Sequence, residues 1–157
     1  MSDWVEAGSR APDFMLPALD GAKVKLSAKR GEPVVLYFYP RDDTPGCTRE
    51  ACAFRDQHKA LARLGATVLG VSADDLASHG KFRDKYQLNF PLLADTGHKV
   101  AEKYGAWREK NMYGKKSMGI QRSTFLIDRD GKVARVWTKV NVDGHDAEVI
   151  VAIKQLG

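Results

Sequence analysis

Cysteine is scarce in this chain: two residues of 157, too few for the disulfide framework of a small secreted domain. No apolar run approaches the ~20 residues of a membrane-spanning helix, so no span is expected. The opening residues, Met1-Ser2-Asp3-Trp4-Val5-Glu6, have neither the basic start nor the apolar stretch of a secretory signal, and a cytoplasmic location is the expectation. Internal repeats, low-complexity segments and long linkers are absent too, which leaves one domain over residues 1–157. Nor does charge of one sign dominate. Lys and Arg total 25 against 20 Asp and Glu, a formal +5, yet bases and acids interleave in Arg55-Asp56, Arg83-Asp84-Lys85 and Arg129-Asp130. The densest basic stretch, residues 110–116, is interrupted by Asn111, Met112, Tyr113 and Gly114. A solvated mixed surface is expected, with no nucleic-acid site.

What is present is an ordinary 43% hydrophobic content, enough for a genuine core at this length. Phe14-Met15-Leu16 and Val24-Lys25-Leu26 flank Asp20-Gly21, the signature of an N-terminal hairpin. Val34-Val35-Leu36-Tyr37-Phe38-Tyr39 is apolar throughout, as in a central strand covered on both faces, and Pro40 ends it. Ala51, Phe54, Leu61 and Leu64 recur at near-helical spacing over residues 48–64, with Gly65 as the stop. A second buried strand spans 67–72, and Asp74-Asp75 offers a cap for a helix running through Phe82 to Tyr86. A short strand at 90–94, a helix near 98–104, two strands at 123–128 and 132–138 joined by Arg129-Asp130-Gly131, and a helix over 143–156 complete the pattern. This alternation predicts an α/β domain with a mixed sheet.

The two cysteines, Cys47 and Cys52, follow the central strand in Pro40-Arg41-Asp42-Asp43-Thr44-Pro45-Gly46-Cys47-Thr48-Arg49-Glu50-Ala51-Cys52. A thiol at a helix start meets unpaired N–H groups and the positive end of the helix dipole, so Cys47 is expected to ionise below the free value of about 8.5. Open α/β sheets place reactive groups at this carboxyl edge. In an unbroken helix the five-residue step from Cys47 to Cys52 separates the Cα atoms by ~8–9 Å, beyond the ~7 Å a disulfide can bridge. The pair can join only if the first turns unwind. Spacing alone leaves two readings: a redox pair working through local unfolding, or two small apolar residues packed near a helix end.

The same residues carry a resemblance. Ala11-Pro12-Asp13-Phe14, Tyr37-Phe38-Tyr39-Pro40, Asp43-Thr44-Pro45-Gly46-Cys47-Thr48, Gly70-Val71-Ser72, residues 90–95, Met112-Tyr113-Gly114-Lys115 and residues 122–128 run through nearly the whole chain. The chain resembles the atypical two-cysteine peroxiredoxins, and within them the bacterioferritin-comigratory-protein, or Q-type, branch of thiol peroxidases. The resemblance implies a thioredoxin-like fold, with the N-terminal hairpin as the added element. It implies that Cys47 is the peroxidatic cysteine, attacking a hydroperoxide and becoming a sulfenic acid. Pro40 would shield that sulfur, Thr44 would orient the peroxide, and Arg122 would hold thiolate and peroxide together. Cys52 would be the resolving cysteine, giving a Cys47–Cys52 intramolecular disulfide recycled by thioredoxin or glutaredoxin. Hydrogen peroxide and organic hydroperoxides are the implied substrates. Some relatives carry the resolver on the next helix, where this chain has Phe82-Arg83-Asp84 and no cysteine.

No metal, flavin or haem is required by this chemistry, which needs a thiolate and donors aimed at the departing oxygen. A zinc site on Cys47, Cys52 and His58 is disfavoured, because their steps scatter them around the helix and no Cys-x-x-Cys pair exists. That missing pair also argues against a thioredoxin-type disulfide carrier. Glu50 either orients arginine or favours the helix N-terminus, and Arg41 is read as surface. His58, His79, His98 and His145 are taken as surface histidines, and Trp107 as core or pocket wall. Met112 and Tyr113 either line the peroxide entrance or pack locally. With no long tail beyond Gly157, a monomer is expected.

Overall fold

The structure, a computed structural model, describes residues 3–156 apart from the Met112 side chain. Met1, Ser2 and Gly157, and the Met112 side chain, which the sequence left between the peroxide entrance and local packing, lie outside the described residues. Five strands form the central sheet in the order β5-β4-β3-β8-β9. β3 (Val34–Phe38), β4 (Thr67–Ser72) and β5 (Leu92–Ala94) run parallel, β8 (Ser123–Ile127) pairs antiparallel with β3, and β9 (Val133–Trp137) pairs antiparallel with β8, so the sheet is mixed as expected. Every β3 residue is buried, because it is central and covered on both faces. Its alternation divides the core in two. Val34, Leu36 and Phe38 face the N-terminal hairpin of β1 (Met15–Pro17) and β2 (Lys23–Lys25) and the short helix α4 (Lys99–Tyr104). Val35 and Tyr37 face α1 (Pro45–Asp56), α2 (His58–Arg63), α3 (Leu76–Tyr86) and α5 (His145–Lys154). Among the described residues no helix is long and apolar enough to cross a membrane.

Three sequence expectations are corrected. The helix expected over 48–64 starts at Pro45 and breaks at Gln57 into α1 and α2. No residue type at the break forbids a helix; the kink coincides with the Gln57 amide donating to Asp146 on α5 at 2.9 Å. Residues 107–120, to which the sequence assigned no element and of which 110–116 were read as a basic stretch, form a second hairpin, β6 (Trp107–Met112) with β7 (Lys115–Ile120). Its two-residue turn, Tyr113-Gly114, has positive φ at both positions (54° and 78°), the geometry that matches strand twist. Finally, His79 and His145 are not surface residues: they are 0% and 1% exposed. Each sits on the inner stripe of its helix, with Phe82 following His79 and Val149 following His145.

Candidate active site

β3 ends at Phe38, and the loop after Pro40 delivers the chain into α1 at the carboxyl edge of the sheet. Thr44 takes the extended conformation of an N-cap, and Pro45 follows at the first helical position, where its fixed φ suits a helix and its missing N–H costs nothing. Cys47 lies in the first turn, 1% exposed, against Tyr37, Ala51 and Phe54. Cys52 is half-buried in the same unbroken helix, and both thiols are free. The distance argument made from the sequence therefore applies to the observed α1.

Arg122, in the link between β7 and β8, reaches back 75 residues to the sulfur. Its Nη2 lies 3.3 Å from Cys47 Sγ, and its Nη1 donates to Glu50 Oε1 at 2.7 Å. The planar fork thus spans both groups, something a lysine could not do. Gly46 leaves room for the guanidinium: a methyl group there would lie 3.1 Å from Arg122 Nη2, close enough that one of them would have to shift by a few tenths of an ångström. Glu50 is 1% exposed. Burial pushes its carboxyl up to about 7 against the pull of Arg122. Its second oxygen has no hydrogen-bond partner among the described residues, and neither does the buried Tyr37 hydroxyl, whose own ionisation burial pushes far up.

The Thr44 hydroxyl donates to the Arg41 carbonyl at 3.0 Å, so its remaining lone pairs are available to accept a proton donor from solution. Pro40 is half-buried at the end of β3, and Arg41 is exposed. Of the expected residues, the structure thus brings Cys47 and Arg122 into contact, with Thr44 at the start of the same helix and Cys52 further along it. Glu50, left open by the sequence, is the carboxylate that holds Arg122. Lys110 was missed. It is half-buried on β6 with its stem across Gly119, and burial followed by repulsion from Arg122 lowers its pKa while the Cys47 charge opposes this. Tyr113 stands fully exposed at the hairpin tip.

Residues 7–136 match the AhpC/TSA family. The chain belongs to that family. It is 51% identical over 146 residues to the putative peroxiredoxin Bcp of Coxiella burnetii, covering 93% of this chain and 97% of that protein. It is 49% identical over 152 residues to peroxiredoxin Bcp of Bacillus subtilis, covering 97% of each. Among solved structures, the bacterioferritin comigratory protein of Xanthomonas campestris, studied for its alkyl peroxide reduction activity, matches with a TM-score of 0.89. That match is at 39% identity and covers 96% of this chain and 98% of that one. The mixed sheet with its flanking helices is accordingly the thioredoxin-like fold of the Q-type peroxiredoxins.

In this peroxiredoxin the raised Glu50 carboxyl has a thermodynamic consequence. The folded state keeps the Glu50 proton up to about pH 7, whereas the unfolded chain releases it near 4.5. Its contribution to stability is full below the lower value and is lost as pH rises through the upper one, by about 1.4 kcal/mol for each pH unit crossed. Glu50→Gln should therefore gain thermal stability relative to wild type as pH rises from about 5 to about 7. Parallel melting profiles for the two proteins would show that Glu50 titrates as an ordinary carboxylate.

Proposed function

We propose that this peroxiredoxin reduces hydrogen peroxide and small organic hydroperoxides through Cys47, resolves the product with Cys52, and is recycled by thioredoxin or a glutaredoxin. The observation carrying this reading is the buried Cys47 sulfur facing the Arg122 guanidinium at 3.3 Å, with Glu50 fixing the far side of that guanidinium. A donor held there favours the sulfur anion. The Cys47 thiolate attacks the terminal oxygen of the hydroperoxide; the S–O bond forms, the O–O bond breaks, and the departing alkoxide or hydroxide leaves with the electron pair and takes a proton from solvent. Arg122 and the Gly46 and Cys47 amides, which have no carbonyl one turn back in the helix, are aimed at the charge that builds on oxygen. The Thr44 hydroxyl, its proton committed to Arg41, accepts the hydrogen of the peroxide. Pro40 would keep water from the sulfur.

Resolution follows. The Cys52 sulfur attacks the Cys47 sulfenic acid, forming the disulfide and releasing water. Since both residues share α1, the first turns of that helix must open, and oxidation should lower helix content over 47–54. Cys52→Ser is expected to consume roughly one equivalent of peroxide and then stall as the sulfenic acid, without recycling by thioredoxin. Peroxide consumption coupled to thioredoxin oxidation, with mass spectrometry to locate the disulfide, tests this. Normal cycling by the variant would reject Cys52 as resolver. The protein is further proposed to act as a single-domain monomer in the cytoplasm.

A further inference from the structure

The segment between β3 and α1 is tied to α3 by an unusual concentration of buried polar contacts. Asp42, 8% exposed, accepts from the Tyr39 hydroxyl at 2.6 Å through Oδ1 and from the Ser78 hydroxyl at 2.8 Å through Oδ2. The same Oδ2 lies 2.7 Å from Nδ1 of the fully buried His79. The Asp42 backbone N–H donates to Asp74 at 2.8 Å, and Asp74 in turn accepts from Ser72. The other ring nitrogen, Nε2, lies 2.9 Å from the Leu93 carbonyl on β5. A carbonyl can only accept, and so can a carboxylate, so both ring nitrogens carry protons and His79 is an imidazolium paired with Asp42. Such a ring has no lone pair for a metal, although Asp42, Asp74 and His79 bring three ligand-type atoms within 4.8 Å. Next along, Asp43 has a left-handed backbone (φ 55°) and accepts from Lys85 and Tyr86 at the far end of α3.

None of this network touches the sulfur, yet it grips the chain two and one residues before the Thr44 cap. The turns that must open for Cys47 to reach Cys52 begin there. We propose that the Asp42–His79 ion pair is a latch that holds the Cys47 segment in its peroxide-reacting form and sets how readily that segment releases for disulfide formation. The proposal rests on the thiol peroxidase reading of Cys47 and Cys52. His79 and Asp42 are positioning residues, acting through the backbone that carries the thiol.

The latch has a direct chemical readout. A sulfenic acid at Cys47 has two fates: Cys52 displaces water to give the disulfide, or a second peroxide oxidises it to the sulfinic acid and leaves as water or, from an organic hydroperoxide, as the alcohol. A tighter latch delays the first fate and favours the second. It also has a pH signature. The groups facing His79 are Asp42 from the loop, Asp74 just beyond β4, Tyr39 just beyond β3 and the Leu93 carbonyl from β5, with Ser78 beside it on its own helix sharing Asp42. Burial works against the imidazolium, but the Asp42 hydrogen bond and charge outweigh it and leave His79 raised above 6.5. Its stabilisation is full below that value and fades as pH climbs through the raised one.

The test is stopped-flow tryptophan fluorescence with hydrogen peroxide, followed by mass spectrometry of Cys47 at excess peroxide. His79→Gln keeps a donor for Leu93 and removes the one facing Asp42. It should leave the first phase near the wild-type rate, accelerate disulfide formation about tenfold or more, and lower the sulfinic fraction, since a buried carboxylate left with its two hydroxyl donors but no cationic partner destabilises the latched form. The rate ratio of variant to wild type should shrink toward one as pH rises. His79→Asn, which restores a neutral donor to Asp42, should recover part of the delay. Should the glutamine variant fail to fold, Ser78→Ala removes one donor to the same carboxylate and should show a smaller acceleration. An unchanged second phase and sulfinic fraction in the folded variants would overturn the latch. A wild-type protein inert to peroxide would instead overturn the reading on which it rests.

Discussion

Cys47→Ser should reduce peroxide turnover to the uncatalysed background while the protein still folds. Serine fills nearly the same space at a position 1% exposed, so packing against Tyr37, Ala51 and Phe54 survives. What disappears is the nucleophile. A hydroxyl does not ionise near neutrality, and the group hydrogen-bonded to this position is the Arg122 guanidinium, a donor that cannot take up its proton. The Arg122 contact that favours a sulfur anion has no anion to favour in the variant. Stopped-flow oxidation with hydrogen peroxide, with circular dichroism as the fold control, decides the matter. Residual turnover above background in a folded Cys47→Ser protein would remove Cys47 from the centre of the mechanism.

Arg122→Ala should slow the oxidation step by ~10²–10³-fold, the usual loss when one preorganised donor to developing charge is removed. The guanidinium does two things that alanine cannot: it faces the sulfur, and it neutralises a carboxylate 1% exposed. Without it Glu50 has burial alone acting on it and will hold its proton to still higher pH. Protonation lets the variant avoid an unpaired buried charge, so the fold should persist at and below neutral pH. Arg122→Lys separates charge from geometry, since one ammonium cannot satisfy Glu50 and Cys47 together through a planar fork. It should recover only part of the rate. An Arg122→Ala rate equal to wild type would reject the assigned role.

The central strand, the Asp-Gly turn of the first hairpin and the thiol at a helix mouth could be read from the sequence because each is local. Six successive apolar residues specify a strand buried on both faces, and Pro45-Gly46-Cys47 specifies a helix start. The β6–β7 hairpin escaped because β7 is mostly exposed, β6 is only half-buried, and both carry charges in place of an apolar alternation. Tyrosine, too, is an uncommon first residue for its left-handed turn. Glu50 stayed open between orienting arginine and favouring the helix N-terminus, because a glutamate there has a sufficient local explanation and its partner lies 72 residues away. His79 and His145 were readable in principle. His79, Phe82 and Tyr86 share one helix stripe, as do His145, Val149, Ala152 and Ile153, and that periodicity marks both rings as inward-facing. What no periodicity supplies is which acid awaits them across the core.

The short interruption at Gln57 has a mechanical consequence. With its amide tethered to Asp146 and a new helix beginning at His58, fraying that starts near the thiols meets a fixed post before it can spread. In the cycle proposed above, the remodelling would therefore stop within α1, at most about three turns of backbone, with α2 and α5 left seated on the sheet as an unchanging landmark. A reducing partner would meet the same flank in every oxidation state, with only the patch that carries the sulfurs redrawn.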